Sequence, residues 1–182
     1  MAAYLLLLVA VLSRFIPPLM PHAGWMNFTA VTGALLYFGA RRPGREMFVP
    51  LGALMLSDLL LTTFVYHYPF AWQGYLPTWT WYIAGTALGW ILLKSKTTFW
   101  RVGAGVVLGP TSFWILSNYA VWATGGNGYP HTEDGLWACF MAGIPFYRND
   151  LASAAIVSGL AFGVPVLVRR MNASRAVAQV AK

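Results

Sequence analysis

Asp58 is the residue whose placement asks most for a chemical explanation. It stands near the middle of the apolar run 47–66, beside Ser57, where an unpaired carboxylate at bilayer depth costs at least about 2.5 kcal/mol. It must therefore face other helices and have a partner. Arg14, near the end of the first apolar run, is the cation nearest to membrane depth, with Arg148 second. Two roles suit that pair: a proton- or substrate-coupling carboxylate, and a structural ion pair. Asn27, Thr29 and Asn118 also fall in or beside apolar runs, and each is either a cavity-lining group or interhelical hydrogen-bond glue.

His22, His67 and His131 lie 45 and 64 positions apart, and Cys139 is the single cysteine. No dedicated metal site has such spacing, and one cysteine forms no intrachain disulfide. A metal already held by a cofactor needs only one axial ligand, and for that His67 or Cys139 suffices. Motifs of hydrolysis and phosphate binding are absent: there is no Gly-x-Ser-x-Gly, no His-Glu-x-x-His and no glycine loop before a lysine. Glu133, Asp134 and Asp150 are expected in outer loops, where they form no recognisable acid/base pair.

The elements that must position these groups are membrane helices. With 58% hydrophobic and only 9% charged residues, the chain has too little polar surface to cover a soluble globule. A span needs roughly 17 to 25 helical residues. Six are expected, at about 2–20, 25–40, 47–66, 76–93, 102–123 and 151–168. Segment 135–147 is expected as a short re-entrant or surface helix on the outer side, because Pro145 interrupts it. The first run has no basic leader and is read as a retained helix, so residues 1–182 form a single integral membrane domain, all-α in class.

Ten of the twelve Lys and Arg residues fall in three clusters, Arg41/Arg42/Arg45, Lys94/Lys96/Arg101 and Arg169/Arg170/Arg175/Lys182. With six spans all three lie on the cytoplasmic side together with both termini. The net charge of +7 then reflects orientation and attraction to anionic lipid, and no nucleic-acid partner is expected. Gly85/Gly89, Gly105/Gly109 and Gly159/Gly163, with Ala30/Ala34, have the spacing that lets helix backbones approach closely. In contrast, 19 of the 29 aromatics fall in the outer segments 14–28, 66–82 and 114–149. An interfacial belt decorates both faces about equally, so the excess predicts an outward-facing aromatic cavity. Trp72, Trp79, Trp114, Tyr119, Trp122, Tyr129 and Trp137 are its candidate walls, and Arg14, Asn27, Thr29, Asp58, His67 and Asn118 its polar groups.

Arg14-Phe15, the run from Asn27 to Leu35, Ser57-Asp58, and Phe113 to Trp122 followed by Tyr129, Cys139 and Ile144 to Tyr147 together resemble the substrate-binding S components of energy-coupling-factor vitamin transporters. The resemblance implies a six-helix bundle that takes a vitamin-like molecule from outside, under loops following the first, third and fifth helices. The nearest functional analogues within that group are solitary cobalamin transporters, which work without the usual ATPase module. They too have Arg-Phe after the first helix and Asp in the third, but place a cobalt-coordinating cysteine in the loop after it. Here that loop holds His67, and Cys139 lies in the next outer segment. The docking face Ala-x-x-x-Ala of the first helix is also missing, which bears on any energy-coupling partner. The expected function is uptake of a micronutrient, best a corrinoid such as cobalamin, across a bacterial inner membrane. The alternatives are a membrane enzyme acting at the outer face and a structural or assembly subunit.

Overall fold

Backbone groups in an apolar surrounding have no water to bond, which leaves helices or closed barrels as the stable solutions. The computed structural model, which describes residues 1–20 and 28–180 (175–180 as backbone alone), contains helices and no strand among those residues. In order they are α1 (Ala2–Ser13), α2 (Ile16–Leu19), α3 (Val31–Arg41), α4 (Phe48–Leu60), α5 (Leu76–Leu93), α6 (Phe99–Ala123), α7 (Glu133–Ser158) and α8 (Val164–Val180). A π-helical turn, Leu61–Val65, extends α4, and another, Gly159–Gly163, joins α7 to α8.

Three stretches are long and apolar enough to cross a membrane: Ala2–Leu19, Gly44–Val65 and Glu133–Ser174. Six spans are expected from the sequence, and α3, α5 and α6 fall short of this measure of length and composition. Helix α3 has 11 residues, which at about 1.5 Å per residue covers roughly half of a hydrocarbon core of about 30 Å. Helices α5 and α6 have 18 and 25 residues, but their Trp, Tyr, Thr, Ser and Gly content dilutes their apolar character. The expected outer segment 135–147 is corrected, because it is the first half of the helix that continues through 151–168. Thr132 starts this helix by accepting the Gly135 N–H at 3.2 Å, with Glu133 and Asp134 in the first turn, where the helix dipole favours them. Pro145 removes one backbone donor without ending the helix.

Helix α3 is the pillar of the bundle. Apart from Tyr37, every residue from Val31 to Ala40 is buried, as expected of a helix apolar on all sides. Its entry is tied to α1: the Ala30 N–H donates to Ser13 Oγ at 2.9 Å. Glycines let its neighbours approach: a Cβ on Gly89 would collide with the Leu36 backbone, and one on Gly39 with the Thr86 carbonyl. Gly105 and Gly109 of α6 face Leu36 and Thr32 in turn. Gly109 thus meets the start of α3 and Gly105 a residue further along it, so the two helices are antiparallel. Thr32 pairs with Asp150 and Tyr37 packs on Phe162, so α3 and the α7–α8 helix run in the same direction. Gly159 and Gly163 depart from the expected pattern, since a Cβ on either would meet nothing within 4 Å.

Among the described residues, basic residues of three segments gather at one end. Arg41 shares a groove with Thr97, Thr98, Arg169 and Arg170. Beside it, Arg42 donates to Glu46 at 2.6 and 2.8 Å, and the Tyr4 hydroxyl donates to the same carboxylate at 2.5 Å.

Candidate functional site

Arg14 follows the last residue of α1, where the chain turns toward the prolines of α2, and its guanidinium reaches α4. It donates to the Leu54 carbonyl at 3.1 Å, to Ser57 Oγ and to Asp58 Oδ1. Trp79 of α5 donates its indole N–H to Asp58 Oδ2 at 2.9 Å, and Arg14 lies 5.9 Å from the centre of the buried Tyr82 ring. Asp58 is only 2% exposed. Both carboxylate oxygens are thus engaged, which is what a charge at this depth requires. The π turn after α4 places Thr62 against the Tyr75 hydroxyl, closing the wall between α4 and α5.

Two adjoining cavity lobes border this cluster, and a third continues from the second. One, of about 230 Å³, lies against Arg14, Thr29, Asp58, Thr62, Tyr75 and Phe146. The next, of about 240 Å³, shares Arg14, Thr29, Asp58 and Tyr75 and extends to Phe113 and Asp150. The third, of about 230 Å³ between α6 and α7, shares Phe113 and Asp150 and ends at Trp114, Asn118, Tyr129 and Cys139. Its glycine is structural: a Cβ on Gly143 would strike the Asn118 amide and the Trp114 indole.

A sequence model of one family matches residues 1–177, nearly the whole chain. The chain belongs to DUF6580. That family is described as one of unknown function. No curated protein and no solved structure matches the chain.

Asp150 is the residue of this DUF6580 site that the sequence reading missed. Expected in an outer loop, it is a buried helical residue that borders two of the three lobes. Among the described residues its carboxylate accepts one hydrogen bond, from Thr32 Oγ1 at 2.8 Å, and has no cation. The signal was available: Asp150 directly precedes the apolar run 151–168, and a helix extended upstream through Pro145 carries it into the bundle.

Several expected site residues stand elsewhere. Trp72, Tyr119 and Trp137 are more than half exposed. Trp122 donates to the Pro130 carbonyl at 2.9 Å and packs against His131 and Tyr119. None of these four lines the lobes. In the exposed loop after the π turn, His67 has φ 56 and lies outside the lobes too. Asn27 and His22 lie outside the described residues. Cys139 does line the third lobe, where its buried thiol contacts the Asn118 carbonyl at 3.4 Å. The two proposed axial ligands therefore do not border one cavity, and among the described residues no three His, Cys, Asp or Glu side chains group as a metal site. Arg14, Thr29, Asp58, Trp79, Trp114, Asn118 and Tyr129 are brought together, six lining the lobes and Trp79 bracing Asp58.

Chemically, the site offers a neutralised ion pair, a second carboxylate without a cation, and aromatic walls. That arrangement can orient a small molecule by one cationic or N–H edge while burying its ring.

Proposed function

We propose that this DUF6580 protein binds a small ring-bearing micronutrient in a cavity inside a cytoplasmic-membrane helix bundle and takes it up from the outer side. One observation carries the reading: two of the three lobes meet at Asp150, a buried carboxylate that no described cation neutralises. A buried charge without a partner is costly, and a ligand bearing an amine or N–H donor relieves that cost when it binds. Asp58 is less available because Arg14 and Trp79 already hold it.

The directions of the helices support a six-pass arrangement. With the basic end inside, α1, α4 and α6 run outward while α3, α5 and the α7–α8 helix run inward, so each loop joins neighbours of opposite sense. The cavity is lined by residues of α3, α4, α5, α6 and α7. The lobes together suit the range of about 300 to 1,000 Å³ usual for small-molecule sites. A corrinoid, with its macrocycle and nucleotide tail, exceeds any one lobe, so a smaller vitamin-like ring is favoured. The sequence resemblance to vitamin-transporter S components is what motivates the uptake reading.

The test is ligand identification followed by substitution. Purified protein is expected to release a stoichiometric small molecule on denaturation, and its absorption spectrum distinguishes a corrinoid from other rings. Asp150→Asn keeps the Thr32 contact but removes the charge; loss of an ionic contact worth about 2 to 3 kcal/mol predicts binding weaker by roughly 30- to 150-fold. Unchanged binding by Asp150→Asn would remove the proposed anchor. A folded parent protein that binds none of a panel of vitamins would overturn the uptake reading.

A further inference from the structure

A cavity wider than any of those three lobes lies elsewhere. It is a groove of about 960 Å³ at the basic end, between the start of α6 and the junction of α7 with α8. Its two sides differ in chemistry. Phe99, Val102, Val106, Phe162 and Val166 make one apolar wall, and Arg41, Arg169 and Arg170 stand around it.

Gly159 and Gly163, both in the π turn, form part of the lining, and a Cβ on either would enter open space. The glycine spacing that elsewhere brings helices together here leaves a channel. Arg41 is held over the rings of Tyr37 and Phe162 at 5.6 and 5.8 Å, and among the described residues it has no carboxylate partner. At the same groove, the fully buried Ser158 hydroxyl has no hydrogen-bond partner among the described residues. A donor left unpaired at such burial is uncommon.

We propose that this groove binds one anionic phospholipid of the inner leaflet, its phosphate on Arg41, Arg169 and Arg170 and an acyl chain along the glycine-opened wall. Both halves of the occupant are specified by the chemistry. The arginines call for an anion with oxygens to accept their forked donors, and the apolar wall calls for a chain that a free phosphate lacks. A second copy of this protein is a poorer occupant, because it would bring the same basic cluster against these arginines. The inference rests on the bilayer placement of the chain and is independent of what the Asp150 cavity takes up.

The experiment uses the full chain reconstituted in nanodiscs of phosphatidylcholine or of an equal mixture of phosphatidylcholine and phosphatidylglycerol, with retained lipid read by native mass spectrometry. One phosphatidylglycerol per protein is expected to survive conditions that strip phosphatidylcholine. At about 1 kcal/mol per arginine, Arg41→Gln/Arg169→Gln/Arg170→Gln should weaken retention on the order of a hundredfold. Gly159→Leu, which fills the channel without changing charge, should lose the lipid as well. Lys94→Gln/Lys96→Gln, at the same end but outside the groove, should keep it. Equal retention of both lipids overturns the proposal, as does an equal loss in the lysine variant, or protection of the arginines by inorganic phosphate with no lipid bound.

Discussion

At the residue scale, the Arg14–Asp58 pair and Asp150 show two outcomes for buried carboxylates. Asp58 is matched by a guanidinium and an indole N–H, so its charge belongs to the structure. Removing one partner of such a pair leaves the other uncompensated, typically a loss of about 3 to 5 kcal/mol. Asp58→Leu and Arg14→Leu are each expected to lower the midpoint of thermal unfolding strongly. The double variant should recover much of the loss, since no isolated charge remains. A double variant as unstable as the sum of the singles would show that the two residues are not coupled. Asp150→Asn should change stability far less, because an amide oxygen still accepts from Thr32. Its effect is expected in ligand binding, and that contrast separates the two roles.

At the element scale, α3 depends on its own Gly39 and on glycines of its neighbours. Gly89→Ala and Gly39→Ala each put a methyl group into backbone, where overpacking costs typically 1 to 3 kcal/mol. Gly159→Ala and Gly163→Ala meet nothing, so they are expected to be neutral or to gain up to about 1 kcal/mol from helix propensity. Unfolding of the four variants in one detergent checks the ordering. If α3 sits in lipid, as proposed, burying Leu35 or Leu36 gains little by transfer, because acyl chains are as apolar as leucine. Close contact is what holds such a helix, which is why small residues at four crossings count for more here than apolar content. The long α7–α8 helix follows the same logic. Pro145 costs it one hydrogen bond, but the Thr132 cap and the packing on α3 and α6 keep it continuous.

At the scale of the whole molecule, the gathering of basic residues at one end sets an orientation. In a background where the buried Cys139 is replaced by Ser, a membrane-impermeant thiol reagent applied to intact cells is expected to label His67→Cys and to spare Pro43→Cys. Labelling of Pro43→Cys with protection of His67→Cys would invert the topology and place the Asp150 cavity on the other side. The same geometry relates two cavities: an aromatic, acidic one around Asp150 and a basic groove at the end where Arg41, Arg169 and Arg170 gather.

Sequence alone determined the helical character, the gathering of Lys and Arg into clusters and the need of Asp58 for a partner, with Arg14 as first candidate and Arg148 as second. Each follows from a cost that does not depend on the pairing of helices: apolar surface in water, charge beside a membrane, or an unpaired carboxylate at depth. The tertiary structure decided what depends on pairing. These helices are apolar on nearly every side, so no stripe in the sequence marks which face meets which neighbour. That ambiguity hid α3 as the pillar and made Gly159/Gly163 look like a contact when it lines a groove. It also made Pro145 look like an end. With the helix read as broken there, Asp150 fell into a loop; with the helix continuous, packing turns the same carboxylate into the cavity and against Thr32. Trp72, Tyr119 and Trp137 share the composition of Trp79 and Trp114 but sit on exposed faces, a distinction of rotation about the helix or loop that only the packed bundle fixes.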